Sequence, residues 1–238
     1  MTPPCAAETD IIEEAVRFRS GPYALEGRLC YPDPDAVRGA GVLAGPHPLL
    51  GGAMDNNVVR GLCTGLACRG VAILGFNYRG VGGSEGPRPD VTADLAEFWA
   101  NSRTAEEAHY ATDFRAAAAE LPPLVGAHLP KAMIGYSFGC SILTAAAIDP
   151  VCPLVLVAPT IGQHDYATFA QRTNPMLVIA PDGDFAADVN VVTRWFATLR
   201  GPKRLVRGEW DTHFFRGQEG RLAETVFEFL RERWGLGT

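Results

Sequence analysis

The stretch KAMIGYSFGCSILTAAA, residues 131–147, decides the fold of this chain. At its centre, residues 135–139 read GYSFG and fit the pattern G-x-S-x-G. The pattern alone is weak evidence, because glycine and serine are common in ordinary turns. Its setting is more specific, since an apolar strand ends just before Ser137 and a helix of small residues begins just after it.

This sharp turn from strand to helix predicts that Ser137 is a nucleophile. Such a turn leaves no room for side chains two positions on either side of the serine. This explains on steric grounds why glycine occupies positions 135 and 139. The turn would raise Ser137 Oγ above the sheet and aim the Phe138 N–H at a developing oxyanion. The competing interpretation is that Ser137 only caps the helix.

Outward from this turn, short apolar runs alternate with helical stretches. Runs that are apolar throughout indicate strands covered on both faces, as in parallel sheets. The alternation predicts a parallel α/β sheet wound by right-handed crossovers. The runs are GVLAG (41–45), VAILGFN (71–77), KAMIGYS (131–137), PLVLVAP (153–159), PMLVIAP (175–181) and KRLVRG (203–208).

The N-terminal part has a different pattern. VRFRS (16–20) alternates apolar and charged residues, GPYA turns, and LEGRLCYP (25–32) follows, which predicts an antiparallel hairpin at the sheet edge. No linker divides the chain. We therefore predict one α/β domain over residues 1–238, with a mostly parallel central sheet, an N-terminal antiparallel hairpin and helices on both faces.

A serine hydroxyl is a poor nucleophile unless a base accepts its proton and an acid orients that base. With a G-x-S-x-G elbow these partners follow in the order Ser, acid, His. Two histidines come after Ser137. His213, between the last strand and the last helix, is the predicted base. His164, in a loop before the next strand, is predicted to be a polar loop residue or to line the pocket.

Three carboxylates follow the strand MLVIA and are candidates for the acid. Asp184, after the turn PDG, is the favoured one, and Asp182 is the second choice. Asp188 is better placed to cap the following helix. Asp211 lies only two residues before His213 and is predicted to be a turn residue.

Charge and the N-terminal sequence exclude several classes of function. The formal net charge of −6 argues against nucleic acid or an anionic membrane as the main partner. Residues 1–16 contain no basic segment and no long apolar run, so we predict neither a signal peptide nor a membrane span. The predicted location is therefore the cytoplasm. The six cysteines are then expected to be free thiols, and their spacing matches no zinc site.

With Ser137, Asp184 and His213 in this order, the chain resembles the α/β-hydrolase superfamily of serine esterases and thioesterases. GPHPLLGGAMDNNVV (45–59) and FNYRGVGGSEG (76–86) are similar to two signatures of its small, cap-less bacterial members. Those signatures read HPHP-x-x-GG-x-MDN and N-x-RG-x-G-x-SEG. The resemblance runs from about residue 16 to the C-terminus. It implies the α/β-hydrolase fold and cleavage of a carboxylic ester or thioester through an acyl-Ser137 intermediate.

The resemblance also implies roles for the two signature loops. The loop after GVLAG would supply the second oxyanion N–H, from Leu49 or Leu50, beside that of Phe138. This chain reads Gly-Pro-His-Pro at 45–48 where relatives read His-Pro-His-Pro, which leaves the donor open. Three polar residues are expected to brace the neighbouring loop: Asn77, Arg79 and Ser84.

The segment 87–110 is longer than in the small relatives and contains several aromatic residues. In one interpretation the segment is a lid-like insertion that partly roofs the site. The reason is that the stretch 160–174 is short, although larger hydrolases insert a cap domain at this place. In the other interpretation it is a surface helix whose aromatics, Phe98, Trp99 and Tyr110, pack inward. The candidate substrate-binding residues are His47, Phe98, Trp99, Tyr136 and His164.

No metal or organic cofactor is implied, because the chain contains the whole catalytic set. The expected partner is a small-molecule ester or thioester. Two alternatives stay open: a biosynthetic thioesterase, cyclase or acyltransferase, and a non-catalytic ligand-binding protein with the hydrolase fold. The sequence also leaves open the identity of the substrate and whether the chain forms a homodimer.

Overall fold

One mixed sheet forms the centre of the computed structural model, which describes residues 10–101, 104, 107–145, 148–208, 210 and 212–237. The side chains of Val91, Leu95, Trp99 and Ala145 also lie outside that description. The strands in the described residues are β1 (Ile12–Ser20), β2 (Tyr23–Tyr31), β3 (Gly39–Ala44), β4 (Val71–Phe76), β5 (Lys131–Tyr136), β6 (Leu154–Val157), β7 (Met176–Ala180) and β8 (Lys203–Arg207).

The order of the strands across the sheet is β1-β2-β4-β3-β5-β6-β7-β8. The pairs β1–β2 and β2–β4 are antiparallel, and every later pair is parallel. The predicted hairpin and all six predicted apolar strands are confirmed. Because β3 to β8 run parallel, the loops that follow them open on the same edge of the sheet.

Helices cover both faces of the sheet. They are α1 (Asn57–Ala67), α2 (Val91–Asn101), α3 (Glu107–Val125), α4 (Phe138–Ile142), α5 (Val189–Thr198) and α6 (Glu219–Trp234). Along β4, Ile73 belongs to the core shared with α1 and α6, whereas Leu74 and Phe76 belong to the core shared with α3, α4 and α5. This two-sided burial explains why the parallel strands are apolar throughout.

The helix that follows the elbow begins where the sequence predicts it and is short. The α-helix ends at Ile142, and a 3₁₀ turn follows at Leu143–Ala145. Two side-chain hydroxyls bond to nearby backbone carbonyls here: Ser141 Oγ donates to Phe138 O at 2.7 Å and Thr144 Oγ1 donates to Ser141 O at 2.6 Å. Such local bonds offer the backbone an alternative to the regular helix ladder.

Other predictions concern the cysteines and the membrane. The described cysteines are free thiols, and Cys5 lies outside the described residues. By length and hydropathy, none of the described helices could span a bilayer.

A buried ion pair fastens the N-terminal hairpin to the centre of the fold. Arg79 Nη2 lies 2.7 Å from Asp113 Oδ1, and the Arg79 backbone N–H donates to Asp113 Oδ2 at 2.9 Å. Ser20 Oγ, at the end of β1, donates to the same carboxylate at 2.7 Å. Asp113 has no exposed surface. The bracing role predicted for Arg79 is confirmed.

Asn77 and Ser84 brace the same region. Asn77 Oδ1 accepts the Met54 N–H at 2.8 Å, and its Nδ2 donates to Glu26 Oε2 at 2.7 Å. Ser84 Oγ donates to Asn77 O at 2.8 Å. The loop after β4 is therefore tied to β2 and to the segment before α1.

We predict that Asp113→Asn lowers the free energy of unfolding by about 3 kcal/mol or more, because it removes the carboxylate charge that pairs with the buried Arg79 guanidinium. The matched control is Glu232→Gln, which breaks the exposed pair with Arg204 at 2.6 Å. That pair should contribute about 1 kcal/mol or less. Urea denaturation of both variants measures the difference, and equal small losses would contradict the buried-pair account.

Candidate active site

The elbow around Ser137 has the steric constraint that the sequence predicts. Ser137 adopts φ 56° and ψ −122°, a conformation that L-residues rarely take. A Cβ on Gly135 would lie 2.6 Å from Gly139 O and 2.7 Å from Cys140 Cα. A Cβ on Gly139 would collide with the backbone of Ala44 at the end of β3. Both glycines are therefore required for α4 to approach β3 and β5 this closely.

A continuous chain of hydrogen bonds joins three side chains at the carboxyl edge of the sheet. Ser137 Oγ lies 2.9 Å from His213 Nε2. His213 Nδ1 lies 2.8 Å and 2.9 Å from the two oxygens of Asp184. An ionised carboxylate only accepts, so Nδ1 carries the ring proton and Nε2 is left to accept from the serine hydroxyl. Ser137 makes no capping hydrogen bond to α4, which removes the helix-cap interpretation.

The other carboxylates near β7 have different partners. Asp184 is almost fully buried, and its Oδ1 also accepts the Ala186 N–H at 2.7 Å. Asp182 Oδ1 accepts the Gly208 N–H at 3.1 Å and so braces the loop after β8. Asp188 caps α5, as predicted. Asp211 lies outside the described residues. The structure thus brings together Ser137, Asp184 and His213.

Tyr136 supports His213 from beneath. Its hydroxyl donates to the His213 backbone carbonyl at 3.1 Å, and the two ring centroids are 5.4 Å apart. Burial raises the pKa of Tyr136, so the phenol stays protonated and remains a donor. Tyr136 is almost fully buried. This position does not fit the substrate contact predicted for it.

The backbone N–H groups near Ser137 differ in whether they already donate a hydrogen bond within the protein. The Leu49 N–H donates to His47 Nδ1 at 3.2 Å, and the Leu50 N–H donates to His47 O at 3.0 Å. Both amides predicted as the second oxyanion donor are thus already engaged. Within the described part of the chain, the N–H groups of Phe138 and His47 have no acceptor.

A partly buried carboxylate lies between two histidines beside the elbow. Glu107, at the start of α3, places Oε1 3.5 Å from His47 Nε2 and Oε2 3.5 Å from His164 Nε2. Both histidine rings pack against Phe138, with centroid distances of 4.6 Å and 5.4 Å. Because His47 Nδ1 accepts an N–H, the proton of its neutral ring lies on Nε2 and points at Glu107.

The electrostatics of Glu107 follow from this position. Burial raises its pKa, but the contacts with His164 and His47 outweigh burial and bring the pKa to about 2. Glu107 therefore stays ionised between the two rings. Among the described residues, no group of three His, Cys, Asp or Glu side chains is arranged to hold a metal ion. The two histidines, both predicted to bind substrate, direct their Nε2 atoms at Glu107.

The aromatic residues of segment 87–110 pack inward where they are described. Phe98 on α2 is buried, with its ring centroid 5.1 Å from that of His47. Tyr110 is buried 6.0 Å from Phe138. The side chain of Trp99 lies outside the described residues. The alternative of an inward-packed helix is therefore confirmed for Phe98 and Tyr110.

A cleft of about 210 Å³ opens beside the elbow. Its apolar lining includes Phe138 and Ile142 of α4, and its polar lining includes Glu107 and His164. His164 thus lines a pocket, which is one of the two positions that the sequence leaves open for it.

Nothing in the sequence marks Phe185 and Phe214 as site residues, although they directly follow Asp184 and His213. Their rings lie 4.8 Å and 5.7 Å from the His213 ring, centroid to centroid, and are exposed to solvent. Adjacency to Asp184 and His213 is the only signal that could have indicated them. It does not tell on which side of the loop a ring lies.

The chain matches the model of a family described as the alpha/beta hydrolase family over residues 36–236. The structure of an α/β serine hydrolase without lid from Xanthomonas campestris is 27% identical, covers 95% of this chain and 96% of that chain, and gives a TM-score of 0.75. An alpha-beta serine hydrolase homologue from Coxiella burnetii is 26% identical, with coverage of 91% and 97% and a TM-score of 0.72. An uncharacterized protein of Rickettsia prowazekii is 23% identical over 197 residues, or 78% of this chain and 75% of its own length.

We predict that Glu107→Gln destabilises the fold by roughly 2 kcal/mol at neutral pH, because it removes a negative charge that lies 3.5 Å from the Nε2 atoms of both His47 and His164. The pKa falls from 4.5 to about 2 on folding, so the stabilisation is complete above pH 4.5 and is lost as the pH falls toward 2. The gap between wild type and variant should therefore narrow below pH 4.5.

Urea denaturation from neutral pH down to about pH 3.5 measures this gap. Glu97→Gln, an exposed glutamate on α2, is the control and should change stability by no more than about 0.5 kcal/mol. A gap that stays constant with pH would show that the charge of Glu107 has no part in the effect.

Proposed function

The chain belongs to the alpha/beta hydrolase family, and we propose that it cleaves a carboxylic ester or thioester through an acyl-serine intermediate. The observation that carries the proposal is the chain of hydrogen bonds from Asp184 through His213 to Ser137, with distances of 2.8 and 2.9 Å. The similarity to serine hydrolases from two bacteria supports a hydrolase activity.

In the first half-reaction the enzyme is acylated. Ser137 Oγ attacks the carbonyl carbon while His213 Nε2 accepts the hydroxyl proton. The negative charge of Asp184 stabilises the imidazolium that forms and holds its ring in place. The tetrahedral intermediate then collapses: the bond from carbon to the leaving oxygen or sulfur breaks, and His213 Nε2–H gives its proton to that atom.

In the second half-reaction water replaces the alcohol or thiol. His213 accepts a proton from the water as its oxygen attacks the acyl carbon, and then returns a proton to Ser137 Oγ when the carboxylic acid leaves. The same acyl-enzyme would transfer its acyl group to another alcohol or amine if that nucleophile excluded water. The thioesterase, cyclase and acyltransferase alternatives therefore share this site and differ in the acceptor.

We propose the backbone N–H groups of Phe138 and His47 as the oxyanion donors. Both lack an acceptor in the described residues, and the His47 ring packs against Phe138 at the elbow. Donors fixed before the reaction are the most effective, because they need not reorganise as charge develops. The amides of Leu49 and Leu50 could serve only after releasing their bonds to His47.

We predict that Ser137→Ala lowers kcat for a simple ester such as p-nitrophenyl acetate by roughly 10³-fold or more, because it removes the nucleophile and leaves only the remaining site. A fluorophosphonate probe should label Ser137 in the wild type and should not label this variant. The matched control is Ser141→Ala, which removes a serine on the same helix that bonds to a backbone carbonyl.

Ser141→Ala should keep its labelling and most of its activity, and thermal melting should show that both variants fold. Unchanged ester turnover by Ser137→Ala would reject Ser137 as the nucleophile. A folded wild type that neither reacts with fluorophosphonate nor cleaves esters would favour the alternative of a non-catalytic binding protein.

A further inference from the structure

Two neighbouring phenylalanines are exposed beside the catalytic histidine. Phe185 is 66% exposed and Phe214 is 43% exposed. A single exposed apolar residue is normal on a protein surface. These two rings instead lie together, stacked with centroids 5.6 Å apart and an interplanar angle of 24°. We call the pair the aromatic rim.

The backbone around the rim holds both rings in the exposed position. Phe215, the next residue after Phe214, is buried against Tyr136 and Trp210 and has φ 50°. Its anchoring leaves Phe214 on the solvent side of the loop. Likewise, the turn closed by the Ala186 N–H on Asp184 Oδ1 buries Ala186 and leaves Phe185 outside. The fold therefore maintains this apolar surface at the site.

The mechanism places one part of the substrate next to this rim. His213 Nε2 must give its proton to the leaving oxygen or sulfur, so the alcohol or thiol group lies against the His213 ring. Phe185 and Phe214 both contact that ring, at 4.8 Å and 5.7 Å between centroids. The proposed oxyanion donors come from other segments, the start of α4 and the loop after β3.

We propose that Phe185 and Phe214 bind an apolar leaving group, so that the enzyme prefers esters or thioesters of a long-chain or aromatic alcohol or thiol. This inference rests on the proposed function and adds the class of substrate to it. A leaving group that covers the two rings removes their apolar surface from water, which favours binding of that substrate.

Two isomeric esters test which side of the substrate the rim contacts. Octyl acetate and ethyl octanoate have the same atoms, but the long chain is in the alcohol of the first and in the acyl group of the second. The quantity to compare is kcat/KM, which reports the steps up to the first irreversible one, while the alcohol is still attached. Ethyl acetate serves as the short reference.

For the double variant Phe185→Ala/Phe214→Ala we expect kcat/KM for octyl acetate to fall roughly ten-fold or more, as for the loss of a well-buried apolar contact. The values for ethyl octanoate and ethyl acetate should stay within about two-fold of wild type. The control is Val151→Ala, which truncates a 78% exposed side chain before β6, at the opposite edge of the sheet. It should leave all three values unchanged.

Other outcomes overturn the inference. Equal losses on the two isomers, or a larger loss on ethyl octanoate, would assign the rim to the acyl group or to general support of His213. Unchanged kinetics together with loss of a dimer on size-exclusion chromatography would make the rim an interface between copies of the chain. Unchanged kinetics with no change in oligomeric state would leave the rim without the proposed role.

The same experiment separates this inference from the proposed function. If wild type reacts with fluorophosphonate and cleaves ethyl acetate while the double variant behaves like wild type, only the leaving-group inference fails. If wild type does neither, the serine-hydrolase proposal fails and the inference fails with it.

Discussion

The close approach of three backbone segments at the elbow is the constraint on which the rest of the site depends. Helix α4 starts so near to β3 and β5 that neither Gly135 nor Gly139 has room for a Cβ, and Ser137 takes a positive φ between them. A conformation of this kind costs on the order of 1–3 kcal/mol and persists only where the surroundings enforce it. The parallel sheet provides that enforcement. It also brings the loops after β7 and β8, with Asp184 and His213, to the same edge as the serine.

Helix α3 connects this edge to the rest of the molecule. At its first residue, Glu107 lies between His47 and His164, whose rings flank Phe138. Further along, Asp113 holds Arg79 and, through Ser20, the N-terminal hairpin. Asp113 is buried in contact with the Arg79 guanidinium, and the partly buried Glu107 lies beside two imidazole rings, which is the condition under which buried charge is tolerated. The segments that carry the proposed oxyanion donors are thus supported by a buried polar network.

Local patterns in the sequence predicted the strands, the elbow and the three side chains that the structure joins by hydrogen bonds, Ser137, Asp184 and His213. Buried parallel strands are apolar throughout, and the elbow needs glycine at fixed positions, so both leave a pattern in a short stretch of residues.

The remaining features depend on contacts between distant segments. The sequence could not show that Leu49 and Leu50 donate to His47, that Tyr136 lies beneath His213, or that Glu107 faces two histidines. Helix α4 is short, and the hydroxyls of Ser141 and Thr144 donate to carbonyls within it. Exposure of Phe185 likewise follows from a turn and leaves no local pattern.

The central claim is that Ser137 carries the acyl group between the two half-reactions. Its most direct test is to mix the enzyme with p-nitrophenyl acetate, quench with acid during the first turnover and map the modified peptide by mass spectrometry. The account predicts a burst of p-nitrophenol and one acetyl group on the peptide that contains Ser137. Acetylation of a different residue at the rate of turnover, or a burst without any adduct on Ser137, would contradict it.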